Sequence, residues 1–368
     1  MPYALIYTQY STGGASRQPV NPPLAGSKDQ GAQAIPVPAG SSPIPEPGRG
    51  IAHGTARTLK NRRKDSMAED HEDMSILMVG GHPADAFDNA GGTLAHHAAA
   101  GDRVVAAVMT HGVRSHDIRL IDKYRTGRQT TLEPGKVDKE VAAADEEKRS
   151  EVREACALMG INEVHFLEYD DDILLEREDL IRQIADLIQE CRPHIVITHH
   201  PWEHGGVMGT HSMCAKMTLE AIAAASGLLR SSKRRPHRVA QVFFMGVQAA
   251  CAPLDAMTAG MAVWCDVYVE ITDVIDRKVA ALDKMRSQKY AGAYARKRVE
   301  SVDGHFGLFS GVAYAEAFTS MRPQVYDRLP LTPRTREKAV EKADAWRDRV
   351  CRLLASQVPM PEGAGEAP

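Results

Sequence analysis

The stretch that most constrains the fold is residues 75–93, which reads SILMVGGHPADAFDNAGGT. It begins with an apolar run, continues through two glycines and the pair His82 and Asp85, and ends with a glycine pair that opens a helical pattern. In α/β proteins, a polar cluster just past the carboxyl end of a strand lies where ligands bind. We therefore expect the functional site here.

From residue 75 onward, strand-like and helical patterns alternate along the chain. The predicted strands are 76–80, 104–110, 164–167, 194–198, 242–247 and 263–271. The predicted helices are 93–100, 139–159, 179–191, 211–225, 273–290 with Asp273 as N-cap, and a charged amphipathic helix at 334–354. Such alternation implies βαβ units with right-handed crossovers. We expect an α/β, Rossmann-like three-layer fold around a mainly parallel sheet.

The beginning of the chain differs in composition from the rest. Residues 11–54 are rich in Pro, Gly, Ser and Ala and show no period, so their burial cannot offset the entropy of ordering them. We expect residues 1–73 to form a disordered, dispensable arm and linker, with Met67 as an alternative start of translation. Residues 74–330 should form the domain that carries the site, and residues 331–368 a C-terminal helix and polar tail.

Charge and cysteine usage limit the class of partner. A formal net charge of -3 gives no electrostatic reason to expect nucleic acid or an anionic membrane. The six cysteines are far apart and form no C-x-x-C pair, which favours reduced thiols in the cytosol. No apolar stretch approaches the roughly 20 residues that span a bilayer. We expect a cytoplasmic protein that acts on a small molecule, with homo-oligomerisation left open.

Two polar clusters at predicted strand ends favour a metal site over a nucleotide site. The turn after the first strand lacks G-x-G-x-x-G spacing and holds bulky side chains that keep a pyrophosphate from the backbone. His82 and Asp85 offer a nitrogen and a carboxylate oxygen, and a catalytic zinc needs about three protein ligands. A glycine-rich loop after the fourth predicted strand holds His199, His200, His204 and His211. This loop is the best source of a third ligand, although each histidine taken alone is equally explained by capping or loop hydrogen bonding.

Several motifs occur in an order that resembles a known family. GHPAD followed by GGTLA corresponds to a family motif A-H-P-D-D followed by G-G-T-L-A, and MGTH before a helix corresponds to H-P-D-H. Matching segments follow at 270–278, 281–288 and 314–318. The chain from residue 76 to about residue 318 thus resembles the PIG-L/LmbE family, the zinc-dependent N-acetylglucosaminyl deacetylase superfamily.

The resemblance implies a Zn²⁺ cofactor held by His82, Asp85 and His211. It also reveals departures from the family pattern. The family's general base is replaced by Ala84, and the histidine that stabilises the tetrahedral oxyanion is replaced by Met208. Another group must therefore move protons if the chain is catalytic.

Three functions remain open at this point. The first is a zinc hydrolase that cleaves an N-acyl group from a small sugar-like or acidic substrate, with Glu203 and His204 as candidate bases and Asp88 and His116 behind them. The second is a zinc hydratase or lyase of an unsaturated dicarboxylic acid, because the Ala84 variant resembles a branch that includes 4-oxalomesaconate hydratase. The third is a metal-binding family member without catalysis.

A loop after the second predicted strand bears on the substrate. Arg114 and His116 follow this strand at its carboxyl end, where side chains face a ligand. Arg114 is suited to hold a carboxylate or phosphate through two parallel hydrogen bonds, and a surface arginine is the alternative explanation. The acidic run at 170–172 is better explained as a turn and capping cluster than as part of the metal rim.

Overall fold

The computed structural model describes residues 73–128, 131–171, 176–202, 209–230, 232–245 and 265–354. Almost all of the predicted N-terminal arm lies outside the described residues. So do the candidate bases Glu203 and His204, and Met208.

The described strands form one seven-stranded sheet. They are β1 (Ser75–Gly80), β2 (Arg103–Thr110), β3 (Glu163–Tyr169), β4 (Ile195–His199), β5 (Gln241–Met245), β6 (Val267–Glu270) and β7 (Ala315–Ser320). Their order is β3-β2-β1-β4-β5-β7-β6. The first five strands pair in parallel, and β7 pairs antiparallel with both β5 and β6. The predicted mainly parallel α/β sheet is thus confirmed.

Helices lie between and after the strands. They are α1 (Asp85–Ala100), α2 (Val113–His116), α3 (Ile118–Arg125), α4 (Pro134–Leu158), α5 (Glu178–Cys191), α6 (Thr210–Ala225), α7 (Ile275–Leu282), α8 (Ala293–Ser301), α9 (Asp303–Ser310), α10 (Pro333–Val340) and α11 (Ala343–Val350). Within the described ranges, no helix is both long enough and apolar enough to cross a bilayer.

The central strand β1 is apolar because it is buried on both faces. Ile76 and Met78 join a core with α1, α4, α7 and α8. Leu77 and Val79 point the other way, into a core with α5 and α6. Because successive side chains of β1 point to opposite faces of the sheet, this strand contributes to both cores. The sheet with helices on both faces forms three layers.

A buried ionic network ties α1 to β7 and α7. The carboxylate of Glu316 accepts the backbone N–H groups of Gly92 and Thr93, both at 2.8 Å. Lys278 Nζ lies 2.8 Å from Glu316 and 2.9 Å from Asp303, and its side chain has no exposed surface. This network gives the YAEAF segment at 314–318 a structural role, since it anchors the helix that carries Asp85.

Several predicted boundaries were wrong. The helix predicted to begin at residue 93 begins at Asp85, and the N–H groups near the expected start are those bound by Glu316. The helix predicted at 273–290 is the shorter α7, which ends at Leu282, and the chain beyond it turns through Lys289 and Gly292, both with positive φ. Asp273 is not its N-cap; Val274 is, and the Asp273 carboxylate lies 2.9 Å from His96.

The C-terminal region also differs from its prediction. One amphipathic helix was expected at 334–354, but two short helices form. Glu341 and Lys342 between them are extended, with ψ of 141° and 148°. Glu341 pairs there with Arg349, which favours a bend over a continuous helix. The strand β7 was not predicted as a strand, although its segment was recognised as a motif.

Candidate active site

Three side chains predicted as metal ligands meet at the carboxyl end of the central strands. His82 follows β1, Asp85 begins α1 and His211 lies in the first turn of α6. His82 Nδ1 lies 3.0 Å from His211 Nε2, and His211 Nε2 lies 3.5 Å from Asp85 Oδ1. His82 Nδ1 lies 3.8 Å from Asp85 Oδ2. Because β1 and β4 are parallel neighbours, the turns after them meet at one edge of the sheet.

The donor atoms of these three residues fit a divalent metal ion. They lie within 4.8 Å of one another. For Zn–N bonds of about 2.0–2.1 Å in tetrahedral geometry, two ligand atoms should be about 3.3 Å apart. The separation of 3.0 Å between the His82 and His211 nitrogens and that of 3.5 Å between His211 Nε2 and Asp85 Oδ1 lie on either side of that value. Two imidazoles and one carboxylate are a donor set that suits several transition metals.

Both ionisable groups of the first motif are held in the form that binds metal. Burial, with His116 close by, lowers the pKa of His82 well below its usual value. Burial raises the pKa of the Asp85 carboxyl, but the His211 and His199 rings lower it by more, so the net pKa lies well below its usual range. A neutral imidazole and an ionised carboxylate are the ligand forms that metal binding requires.

A glycine at the end of β1 makes the tight entry to the site feasible. A Cβ added at Gly80 would lie 2.8 Å from the Cβ of Asp85 and 2.9 Å from the terminal methyl of Met78. Any larger residue would push α1 away from the strand. The glycine thus allows Asp85 to fold back toward His82, whose backbone N–H donates to Asp85 Oδ2 at 2.6 Å.

His199 contacts two members of the metal cluster, Asp85 and His211. It ends β4, and its side chain has no exposed surface. Its Nε2 lies 2.9 Å from Asp85 Oδ2, and its ring stacks on His211 with centroids 3.9 Å apart and planes within 8°. His199 was one of the four histidines considered as a source of the third metal ligand. The signal was its register: Thr198 pairs with Val79, which places His199 beside the end of β1.

We predict that His199→Phe weakens metal binding while the fold persists. Phenylalanine keeps the stack on His211 but removes the contact to Asp85, and loss of such an outer contact costs about 10–100-fold in metal affinity. Competition with a chromophoric chelator measures that affinity. His305→Phe, at an exposed position on α9, is the matched control. Equal affinity of His199→Phe and wild type would contradict the assigned role.

The cluster opens into a cavity of about 180 Å³. Its wall includes Ala84, Asp88, His116, Tyr290, Tyr294 and Arg298. Ala84 belongs to this wall, and its methyl group can neither accept nor donate a proton. Small size and polar walls suit a small polar substrate.

Arg298, from α8, also lines the cavity, although it was not among the predicted site residues. Arg298 Nε and Nη2 each lie 2.9 Å from the two oxygens of Asp88. The Asp88 charge raises the pKa of Arg298 above its usual range. Asp88, a reserve candidate for the base, is therefore held in a two-pronged ion pair. With a sequence separation of 210 between the partners, sequence patterns gave no signal for this pair.

The two predicted substrate contacts have different locations. His116 lines the cavity, with its ring centroid 4.2 Å from that of His82. The Arg114 guanidinium instead pairs with Asp138 at 2.8 Å and with Asp170 at 2.8 Å. Arg114 is not among the described residues that line the cavity.

Comparisons with known proteins agree with this architecture. Residues 77–222 match the sequence profile of the PIG-L family, GlcNAc-PI de-N-acetylase. The 4-oxalmesaconate hydratase of Pseudomonas putida KT2440 is 25% identical over 270 residues, which cover 69% of this chain and 92% of that protein.

Two solved structures show the same fold. The 4-carboxy-2-hydroxymuconate hydratase GalB of Pseudomonas putida KT2440 superposes with a TM-score of 0.51 at 22% identity, covering 70% of this chain and all of that one (100%). The N,N'-diacetylchitobiose deacetylase of Pyrococcus horikoshii superposes with a TM-score of 0.50 at 19% identity, covering 67% and 83%. The region that carries His82, Asp85 and His211 thus lies within residues 77–222, the part of the chain that matches the PIG-L family model.

Proposed function

We propose that this protein is a zinc-dependent hydrolase that removes an N-acyl group from a small acidic or sugar-like substrate by attack of activated water. The observation that carries the proposal is the cluster of His82, Asp85 and His211, which lines a small polar cavity. The match to a de-N-acetylase family supports the same chemistry.

The chain's own residues would divide the work as follows. His82, Asp85 and His211 would hold the ion, and His199 would orient Asp85 and His211. A bound Zn²⁺ supplies a Lewis acid and lowers the pKa of a coordinated water to about 7.

The proton acceptor is the role left unfilled by Ala84. Glu203 and His204 belong to the connection between Trp202, after β4, and Gly209, before α6, which ends at the metal cluster. We propose them as the groups that take the proton from water and return it to the leaving amine. Glu203→Gln and His204→Gln should therefore reduce turnover without loss of metal, and full turnover in both variants would remove this assignment.

An acidic group on the substrate is favoured by Arg298. Two of its guanidinium nitrogens contact Asp88, and the side chain still faces the cavity. Arg114, the arginine favoured by sequence, is occupied by Asp138 and Asp170. We assign anion binding to Arg298 in its place, with Tyr290 and Tyr294 beside it.

We predict that Arg298→Lys raises the KM of an anionic substrate about 10-fold or more, because hydrogen bonds to charged groups contribute about 1.5–3 kcal/mol. The KM of an uncharged analogue should change far less. Steady-state kinetics with both substrates give the comparison, and Arg114→Lys is the matched control. Equal changes in KM for the charged and uncharged substrates would contradict anion binding by Arg298.

A hydratase is the second candidate, favoured by the alanine at position 84 together with Arg298. Hydration of an unsaturated dicarboxylic acid also uses activated water, but it needs no protonation of an amine leaving group. Arginine in the cavity suits a dicarboxylate. The match to a hydratase along 92% of that protein's length supports the same alternative.

One paired assay separates the two functions. Zinc-loaded protein is incubated with N-acetylated sugars and sugar acids, and released acetate is measured. In parallel, conjugated dicarboxylic acids are followed by ultraviolet absorbance. Acetate release supports the hydrolase, and loss of conjugation without acetate supports the hydratase. Zinc-loaded protein that turns over neither class would contradict both.

A further inference from the structure

A buried carboxylate lies behind the cavity wall, outside the metal cluster. Asp171 Oδ1 accepts the backbone N–H of Arg114 at 3.2 Å, and Oδ2 accepts the backbone N–H of Ser115 at 2.9 Å. Oδ2 also accepts the Ser115 hydroxyl. The Asp171 side chain has no exposed surface, so these donors fix its orientation.

The Asp171 carboxylate is ionised and can only accept hydrogen bonds. Burial raises its pKa, but hydrogen bonds from His111 and Ser115 lower it by more, and the net pKa lies well below the usual range. An ionised carboxylate offers no proton. The single hydroxyl proton of Ser115 is therefore directed to Asp171.

The same hydroxyl oxygen contacts the neighbouring histidine. Ser115 Oγ lies 2.6 Å from His116 Nδ1. Since the Ser115 proton is used toward Asp171, Oγ must accept from His116, and Nδ1 must carry the imidazole proton. In a neutral ring the other nitrogen, Nε2, then holds a lone pair.

His116 is placed to use that lone pair in the cavity. Its ring forms part of the cavity wall beside His82. Among the described residues of the wall, it is the histidine that does not belong to the metal cluster.

We infer that Asp171 and Ser115 are positioning residues of the active site, which hold His116 in the Nδ1–H form with Nε2 available to accept a hydrogen bond from a substrate hydroxyl or the attacking water. The catalytic part of this inference rests on the proposed function. His116 Nε2 would supply a hydrogen-bond acceptor in a cavity where Ala84 presents only a methyl group.

The tautomer can be read without any activity assay. Nitrogen NMR of ¹⁵N-histidine-labelled, zinc-loaded full-length protein distinguishes Nδ1–H from Nε2–H, and His116→Gln identifies the His116 signals. We expect Nδ1–H in the wild type and loss of that preference in Ser115→Ala. An Nε2–H ring in the wild type, or an unchanged tautomer in Ser115→Ala, would overturn the positioning role of Ser115 and Asp171 even if the enzyme is active.

Kinetics of the same proteins test the catalytic part. Ser115→Ala should lower kcat at least 10-fold with KM within threefold and the metal retained, and Ser115→Thr should restore most of it. Asp171→Asn should lower kcat further, by about 100-fold or more. The Asn amide can donate to Ser115, which reverses the direction of the hydrogen bonds to His116 and favours the wrong tautomer.

Ser226→Ala, at an exposed serine that bonds only within its own helix end, is the control. Unchanged kcat in both Ser115→Ala and Asp171→Asn would overturn the catalytic role. If the wild type carries Nδ1–H at His116 but is inactive toward both substrate classes, the proposed function is removed and the positioning role of Ser115 and Asp171 stands.

Discussion

The Glu316→Ala variant is expected to be about 3–5 kcal/mol less stable to unfolding than the wild type, because removing one partner leaves a buried charge uncompensated. Lys278 would keep only Asp303, and the N–H groups of Gly92 and Thr93 would lose their acceptor. For a domain of this size the loss corresponds to a Tm lower by about 10 °C. Thermal unfolding followed by circular dichroism measures it.

A carboxylate in a solvent-exposed pair is the appropriate comparison. Glu163 pairs with Arg103 at 2.9 Å with 36% of its side chain exposed, and such pairs contribute about 0–1 kcal/mol. Glu163→Ala should therefore change Tm by no more than about 3 °C. A Glu316→Ala variant as stable as Glu163→Ala would show that the buried network does not anchor α1.

The His82→Ala and His211→Ala variants are expected to lose catalysis by at least about 1000-fold in kcat/KM, because each removes a ligand of the ion that supplies activated water in the proposed mechanism. Either substitution would leave two of the three proposed ligands, His82, Asp85 and His211. Initial rates at matched protein concentrations give the ratio, with circular dichroism to verify the fold.

His96→Ala is the control for these variants, since His96 lies on the same helix as Asp85 but pairs with Asp273 at the surface. It should retain wild-type kcat/KM. Retention of more than a tenth of wild-type activity in His82→Ala would place the chemistry elsewhere.

The sheet was predictable because each parallel strand is an apolar run between turns. β1 is buried on both faces, and β4 is buried along most of its length. β7 escaped prediction because its AEAFTS segment contains small residues and a charged one. Its glutamate is buried only because Lys278 and the amides of α1 meet it there, a tertiary effect with no local pattern.

The residues of the site likewise include some that a local motif identifies and others that only the tertiary structure brings together. His82 and Asp85 are three residues apart on a strand-to-helix turn, so a local motif identifies them. Arg298 reaches the cavity only through the packing of α8, and Asp171 reaches Ser115 only because β2 and β3 are neighbours. The capping explanation for the acidic run was close, since Asp171 binds two N–H groups of α2. Its link to His116 required side-chain geometry.

Metal stoichiometry of the purified full-length protein tests the central claim most directly. Elemental analysis is made on the wild type, His82→Ala, His211→Ala and the His96→Ala control after identical exposure to zinc and dialysis. We expect about one zinc per chain in the wild type and in His96→Ala, and almost none in the other two. A wild type without bound metal after reconstitution, or full occupancy in both ligand variants, would contradict it.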